Sequence, residues 1–237
     1  MRRAEPGRDP RHRAPRTAGA ALACFLGRTS PRLLIALVLL AAGLRASIGR
    51  IAWADALVAL SILLCWPLLE WLIHVHILHL RPRNIGPLRW DLGVARDHRR
   101  HHADPWNLRW VFIPRYVFVP ALALLAVVAL SAPDPHLAMT GVTAFLLLAL
   151  HYEWSHYLAH IDWCPPLDYY RRRVREHRLH HFRNHRLWWG VSTGAADRWL
   201  GTAPEPGDAG IARGPLHDCA STGQSPTQGQ DGAHARR

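Results

Sequence analysis

The sequence predicts an all-α membrane protein that crosses the bilayer several times and carries a helical cap on the cytosolic side. Three observations lead to this fold class: long apolar segments, arginines grouped at alternate segment ends, and histidine clusters at the same-side ends. The 29 basic residues are all arginine, against 17 acids. A soluble domain with net charge +12 would favour a nucleic-acid partner. Because apolar and charged segments alternate, we expect a membrane and no nucleic acid instead.

Four apolar segments are the candidates for spanning helices. A span needs about 20 mainly apolar residues, which the second, third and fourth segments provide, whereas the first is short. A signal-peptide interpretation of the first segment is disfavoured by the long basic stretch that precedes it. We predict about four spans, over residues 31–47, 53–74, 111–132 and 137–160.

The chain divides into one membrane domain and two polar tails. Residues 1–30 hold seven arginines among Pro and Gly, and we predict a disordered basic tail there. Residues 31–201 form the membrane domain. Residues 202–237 are rich in Gly, Pro, Ser and Thr, and we predict a second disordered tail.

Arginine placement predicts the orientation of the spans. Segments 80–110 and 171–178 are rich in arginine, whereas 132–136, between the third and fourth spans, has none. The positive-inside rule therefore places both termini and every histidine cluster in the cytoplasm. Arg45 and Arg50, between the first two spans, disagree with this orientation. The lysine-free composition favours a bacterial chain, and hence the inner membrane.

Ten histidines in four clusters are the candidate metal ligands. Imidazole is the commonest protein ligand for transition metals, and ten exceed what one ion can bind. On a helix, residues three and four apart share a face, so each triplet and the later pair project together. The pattern predicts a two-metal centre with ligands His74, His79, His98, His101, His102, His156, His160, His177, His180 and His181.

Two features of these clusters leave questions open. His74 and His79 lie five residues apart, about 140° around a straight helix. The helix therefore ends or kinks between them, or the two bind different metals. Carboxylates commonly orient ligating histidines, and Glu70 and Glu153 are the candidates, ahead of Asp97 and Asp162.

The remaining histidines and two tryptophans are weaker signals. His76 and His151 lie off the shared faces, and His185 follows the last triplet too closely to assign. Trp188 and Trp189 can line a lipid entrance, but an interfacial aromatic belt is the favoured interpretation. We interpret the other histidines as incidental: His12, His136, His217 and His234.

Four motifs resemble the membrane fatty acid hydroxylase superfamily, which includes sterol desaturases and carotenoid hydroxylases. They are EWLIHVHILHLRP, DHRRHHADPWNLRWVFIP, HYEWSHYLAH and REHRLHHFRNHRLWWGVSTGAADRWLGT, and they cover residues 65–202. The chain is most similar to fatty acid 2-hydroxylase-type members. The resemblance implies a lipid hydroxylase that uses dioxygen and two electrons, with the ten histidines as metal ligands and no catalytic side chain beyond the dimetal centre. It implies two metal ions, which we expect to be iron, although zinc can occupy such a site in isolated protein.

The chain also departs from the family pattern. Val75 stands where a basic residue often follows the first histidine, and the HPGG motif of a fused cytochrome domain is missing from the sequence. We therefore expect a separate electron donor of the ferredoxin or cytochrome type. A fatty acyl chain is the favoured substrate, with carotenoids and sterols as alternatives. From another class, a membrane metal transporter or a noncatalytic metal-binding relative stays open.

Overall fold

The computed structural model describes residues 15–49 and 51–204 as a helical protein. Eight α-helices, one π-helical turn and one short hairpin make up this part of the chain. In chain order they are α1 (Ala18–Leu26), α2 (Thr29–Ser47), α3 (Trp53–Ile73), the π-turn (His74–Leu78), β1 (Arg83–Ile85), β2 (Leu88–Trp90), α4 (Gly93–Ala103), α5 (Arg115–Ser131), α6 (Pro135–Ala159), α7 (Asp168–Phe182) and α8 (Ala195–Trp199).

Three helices are long and apolar enough to cross a membrane. They are α2, α3 with its π-turn, and α6. Helix α5 is apolar but has 17 residues, and a helix of that length extends about 26 Å against about 30 Å of hydrocarbon. Large apolar side chains project outward from it, such as Val119 at 75% exposure and Leu130 at 86%. The predicted all-α membrane fold is confirmed, and a fourth crossing by α5 stays a prediction.

Helices α2, α3 and α6 pack together along their lengths. Helix α6 runs in the same direction as α3, with the Trp66 and Phe145 rings 5.5 Å apart, and antiparallel to α2. At the end where α3 and α6 begin, the Asp55 carboxylate accepts hydrogen bonds from Arg45 at 2.7 Å and from Thr140, and lies 2.9 Å from His136. Arg45, which disagreed with the predicted orientation, is therefore neutralised inside the protein.

The predicted disorder over residues 1–30 is wrong for residues 18–26 and 29–30, which are helical. Helix α1 begins after Thr17, whose hydroxyl accepts from the Ala20 N–H, and α2 begins at Thr29. The apolar face of α1 explains its order. Phe25 is 4% exposed with its ring 4.9 Å from that of Trp154, and the Tyr157 hydroxyl donates to the Ala21 carbonyl at 3.0 Å. Residues 1–14 and 205–237 lie outside the described residues, so both predicted tails stay untested there.

A short antiparallel hairpin is the one exception to the helical architecture among the described residues. Strands β1 and β2 pair Arg83 with Trp90 and Ile85 with Leu88. Gly86 has a φ of 61° in the two-residue loop, a conformation that glycine adopts without steric cost. The hairpin connects the π-turn to α4, which carries the first histidine triplet.

Candidate metal centre

Ten histidine side chains converge in two groups of five. In each group, one nitrogen from every residue lies within 4.8 Å of the others. The first group contains His74, His79, His98, His102 and His180, and the second contains His101, His156, His160, His177 and His181.

Each triplet is divided between the two groups, contrary to the sequence-based expectation that a triplet projects as one unit. On α4, the i, i+4 pair His98 and His102 joins the first group and His101 joins the second. On α7, the i, i+4 pair His177 and His181 joins the second group, and His180 joins the first. Helices α4 and α7 therefore both contribute to both groups, which places the groups side by side. The rings of His102 and His181 stack between them, with centroids 4.1 Å apart.

The Nε2 atoms of the histidines face one another within each group. In the first, His98 Nε2 lies 3.2 Å from that of His74 and 3.0 Å from that of His102. In the second, the Nε2 atoms of His101 and His156 are 3.1 Å apart, and the same distance for His177 and His181 is 3.0 Å. A neutral imidazole has one N–H and one lone pair, so a cation within each group would accept several lone pairs at once.

One unpartnered buried nitrogen of the second group supports this fit to metal ions. Within the described part of the chain, His160 Nε2 is buried without a hydrogen-bond partner; the other unpartnered ring nitrogens are Nδ1 atoms, which lie on the far side of rings whose Nε2 faces the group, in His101, His102, His177 and His181. A buried polar atom without a partner costs about 1–3 kcal/mol. A cation in the second group would give His160 Nε2 a partner, and the convergence of five ring nitrogens in each group is consistent with two transition-metal ions.

The histidines outside the spans are held in their neutral, metal-binding form. Burial, followed by the neighbouring imidazoles, lowers the pKa of His101 and His180 well below the usual value. The same causes lower the pKa of His79 to about 3. A metal ligand must be deprotonated, so these side chains are ready to coordinate at neutral pH. An all-imidazole set suits iron, zinc and copper alike.

The π-turn resolves the five-residue spacing of the first pair. The His79 N–H donates to the His74 carbonyl at 3.1 Å, a bond between residues five apart. A π-turn widens the helix locally, so residues five apart come closer to a common face. Both histidines consequently belong to the first group, and the alternative that they bind different metals does not hold.

The carboxylates predicted to orient histidines bind other partners. Glu70 accepts hydrogen bonds from the main chain of Val191 and Ser192, and Glu153 accepts from Ile113 and Ser30. The two weaker candidates also bind other partners. Asp97 pairs with Tyr116 and Arg100, and Asp162 pairs with Arg16. Glu70 and Glu153 therefore make hydrogen bonds to main-chain N–H groups and serine hydroxyls, and their predicted role in orienting histidines stays a prediction that would act through these partners.

Main-chain carbonyls orient at least two of the histidines. His74 Nδ1 donates to the Trp189 carbonyl at 2.5 Å, and His180 Nδ1 donates to that of Leu187 at 2.8 Å. Each bond fixes the tautomer that leaves Nε2 free for a metal. Every residue has a carbonyl, so no side-chain pattern in the sequence could have indicated which ones take this role.

The weaker candidates lie around the two groups. His151 stacks on Tyr169 with centroids 5.8 Å apart, and His76 contacts Trp71. The His185 ring is 4.8 Å from that of His102, and its Nδ1 lies 3.1 Å from the His180 carbonyl. His136 bonds to Asp55 at the far end of the spans, while three others lie outside the described residues: His12, His217 and His234.

The two tryptophans of the last motif do not form an aromatic belt. Trp188 and Trp189 are 2% and 7% exposed, and the Trp189 ring lies 4.7 Å from that of His79. The belt interpretation is therefore wrong, because both side chains are buried and the Trp189 indole packs against the first histidine group.

An apolar cavity of about 370 Å³ borders both histidine groups. Its wall comes from α2, α3, α5 and α6 and from the loop before α5, and is mostly apolar, as at Leu34 and Phe145. His74 and His98 of the first group and His156 of the second line it, as does Tyr152. The cavity therefore brings apolar space into contact with both groups.

Comparison with known proteins agrees with the motifs. A profile of the family described as "Fatty acid hydroxylase" matches residues 59–202. The chain is 28% identical over 60% of its length to a dihydroceramide fatty acyl 2-hydroxylase of Arabidopsis thaliana, of which it covers 58%. It is 28% identical over 62% of its length to the fatty acid 2-hydroxylase of Rattus norvegicus, covering 39%, and 30% identical over 54% to that of Homo sapiens, covering 34%. The chain thus spans well under two thirds of each relative.

A solved structure shares the fold. Full-length Scs7p, in which only the hydroxylase domain is visible, superposes with a TM-score of 0.61 at 22% identity. The match covers 75% of this chain and 66% of that one. At this identity the likeness establishes a common fold.

Proposed function

Because the chain belongs to the fatty acid hydroxylase family, we propose that it hydroxylates an unactivated C–H bond of a lipid, with a fatty acyl chain as substrate. The observation that carries the proposal is the apolar cavity bordered by His74 and His98 of the first group and His156 of the second. Its position lets an alkyl chain lie against both groups. The similarity to three fatty acid or acyl 2-hydroxylases supports the acyl substrate.

The two groups of five histidines would each hold one metal ion, which we propose to be iron. When bound, the pair of ions supplies the activation of dioxygen that a C–H bond without polarisation requires. This assignment explains why no acid–base side chain is needed at the reacting carbon. Electrons come from a separate donor of the ferredoxin or cytochrome type.

The remaining chemistry belongs to the protein's own side chains. The leucine and phenylalanine wall of the cavity binds the alkyl chain, and each buried methylene contributes about 0.8 kcal/mol. The same wall excludes water from the reacting carbon. The carbonyls of Trp189 and Leu187 hold His74 and His180 with Nε2 turned inward. The protein therefore binds and desolvates the substrate, and it orients the histidines.

The orientation follows from the arginine-rich segments 80–110 and 171–178. The positive-inside rule places these segments in the cytoplasm, which is where a water-soluble electron donor can approach. The bacterial inner membrane fits the lysine-free composition. The substrate would enter from the bilayer, since the cavity wall comes from the apolar helices.

Lipid analysis of cells that express the protein tests this function. We expect acyl lipids whose mass has increased by one oxygen atom, derived from isotopically heavy dioxygen. His101→Ala in the second group and His180→Ala in the first should each abolish this product while leaving membrane insertion intact. His151→Ala, outside both groups, is the matched control and should leave the product unchanged. Modified carotenoids or sterols in place of acyl lipids would redirect the substrate assignment.

Metal transport is the alternative from another class, and the position of the groups disfavours it. Transporters bind their ions near the bilayer midplane, whereas His79 and His160 lie directly after the ends of the π-turn and α6. Metal uptake into cells without lipid product would contradict the hydroxylase proposal.

A further inference from the structure

Two buried glutamates stand in the same relation to two histidines of the spanning helices. Glu70 precedes His74 by four residues on α3, and Glu153 precedes His156 by three on α6. Both carboxylates are nearly inaccessible, with exposed fractions of 4% and 1%. Each pair therefore shares one helix face, separated by about one turn, or 5.4 Å.

A non-helical segment lies across each of these helix faces. Beside α3, the Val191 and Ser192 N–H groups donate to Glu70, the latter at 2.7 Å, and the Ser192 hydroxyl donates at 2.5 Å. The Trp189 carbonyl, two residues before Val191, accepts from His74. One segment therefore bonds to both the carboxylate and the imidazole.

The second segment lies beside α6. The Ile113 N–H donates to Glu153 at 3.2 Å, and the Ser30 hydroxyl donates to the same carboxylate. Val111, two residues before Ile113, is 3% exposed, and its segment lines the same cavity as His156. Two residues of non-helical chain extend at most about 7 Å, a distance that matches one helical turn.

The two histidines beside these segments belong to different histidine groups. His74 is in the first group and His156 in the second. In each case Nε2 faces another ligand, His98 at 3.2 Å and His101 at 3.1 Å. We propose that Glu70 and Glu153 are positioning residues, each fixing a main-chain segment beside one histidine: the segment at Glu70 bonds to His74, and the segment at Glu153 lines the cavity next to His156. The inference rests on the proposed function, because it assumes that both groups hold metal.

The glutamates act at a distance rather than on the metal. Among the described residues, the hydrogen bonds of Glu70 and Glu153 go to the main chain and to serine hydroxyls. Loss of either carboxylate would release the segment beside its histidine. Loss of a group that orients a ligand typically weakens metal binding about 10–100-fold.

Zinc release to a chelator, followed on the full chain in detergent, tests the proposal. We expect two zinc ions per wild-type chain. Glu70→Ala should weaken the binding of one zinc ion about 10–100-fold and leave the second ion unchanged. Glu153→Ala should weaken the binding of the second ion by a similar factor and leave the first unchanged. The Gln variants should restore most of the binding, because the amide oxygen still accepts from the main-chain N–H.

A first-group ligand variant assigns each effect to its group. In a His79→Ala background, which empties the first group, Glu70→Ala should have no further effect, whereas Glu153→Ala should still weaken the remaining ion. Asp55→Asn is the matched control, since Asp55 is a partly buried acid of α3 at the far end of the span. It should lower the melting temperature without shifting zinc release.

Two outcomes overturn the positioning role while leaving the function intact. The first is zinc release that is unchanged in both Ala variants. The second is an equal weakening of the binding of both zinc ions by each variant, which indicates general destabilisation. A wild-type chain that binds only traces of zinc and iron would overturn the proposed function itself. The two failures are therefore distinguishable.

Discussion

Gly190 lies at the tightest point of the segment that carries the Trp189 carbonyl. A Cβ atom at this position would lie 1.9 Å from the Thr193 carbonyl oxygen and 2.8 Å from an Asp197 oxygen. Asp197 also accepts hydrogen bonds from the Trp189 and Gly190 N–H groups, at 3.0 and 2.6 Å. The segment is thus held by Asp197 on one side and by Glu70 on the other, with no room for a side chain at Gly190.

We predict that Gly190→Ala lowers both stability and metal content. Overpacking of a close-packed site costs about 1–3 kcal/mol, and the displaced segment would carry the His74 partner with it. The melting temperature and the metal-to-protein ratio, measured on detergent-solubilised protein, check this. Gly43→Ala in α2 is the control, because no heavy atom lies within 4 Å of its Cβ position. A Gly190→Ala variant that retains two metals would contradict the assigned role of this segment.

At the residue scale, the sequence indicates ligand types but not their distribution. Each histidine triplet is compact on a helix. Its division between two groups depends on how α4 and α7 face each other, and residue spacing alone does not encode that packing. The choice of Trp189 and Leu187 as hydrogen-bond acceptors was equally hidden, since these carbonyls bear no side-chain signal. Glu70 and Glu153 could be selected as buried acids, but their partners Ser192 and Ile113 lie 122 and 40 residues away along the chain, respectively.

At the element scale, the π-turn brings two histidines that are five residues apart into one group. Residues four apart on an ordinary helix are about 40° apart, whereas residues six apart are about 120° from a common direction. The π-turn accommodates one extra residue, so His74 and His79 reach the same group. The sequence predicts a break or kink here, but not that a widened turn would keep the helix continuous to Leu78.

We predict opposite outcomes for two length changes in this turn. Deletion of Ile77 leaves a four-residue spacing, which an ordinary α-helix places on one face, so the first group should retain measurable metal. Insertion of one alanine after Ile77 gives a six-residue spacing and should empty the first group alone. The metal-to-protein ratio distinguishes them, falling from two to one with the insertion. Equal loss of metal from both variants would contradict this explanation. It would show that any change in the number of residues disrupts the first group, whichever helix face the two histidines share.

Helix α1 shows why the amino-terminal prediction was wrong for part of the tail. Composition dominated by Arg, Pro and Gly predicts disorder for residues 1–30, yet the apolar run AGAALACFL within it buries Ala21 and Phe25. Their contacts, Tyr157 and Trp154, lie more than 100 residues away on α6. A nine-residue helix is marginal alone, so packing against α6 is what orders it.

At the scale of the whole molecule, the structure accounts for one of the two arginines that disagree with the predicted orientation, while Arg50 lies outside the described residues. Arg45 disagreed with the positive-inside rule, but its side chain is 14% exposed and is paired with Asp55 at 2.7 Å. A neutralised arginine contributes little to the asymmetry that sets topology. The exposed arginines of the hairpin and of α7, such as Arg89 and Arg172, remain on the side of the histidine groups. The orientation stays a prediction, and it rests on loop charge, which, unlike packing, is read directly from composition.

Cysteine labelling in intact cells tests both this orientation and the crossing by α5. In a chain whose native cysteines are replaced, Arg89→Cys lies before α5 and Ser131→Cys at its far end, and both positions are exposed. We expect a membrane-impermeant maleimide to label Ser131→Cys in intact cells and Arg89→Cys only after permeabilisation. Labelling of both on the same side would show that α5 does not cross, because its 17 residues then lie along the bilayer. The reverse pattern would place the histidine groups outside the cytoplasm, where a cytosolic electron donor could not reach them.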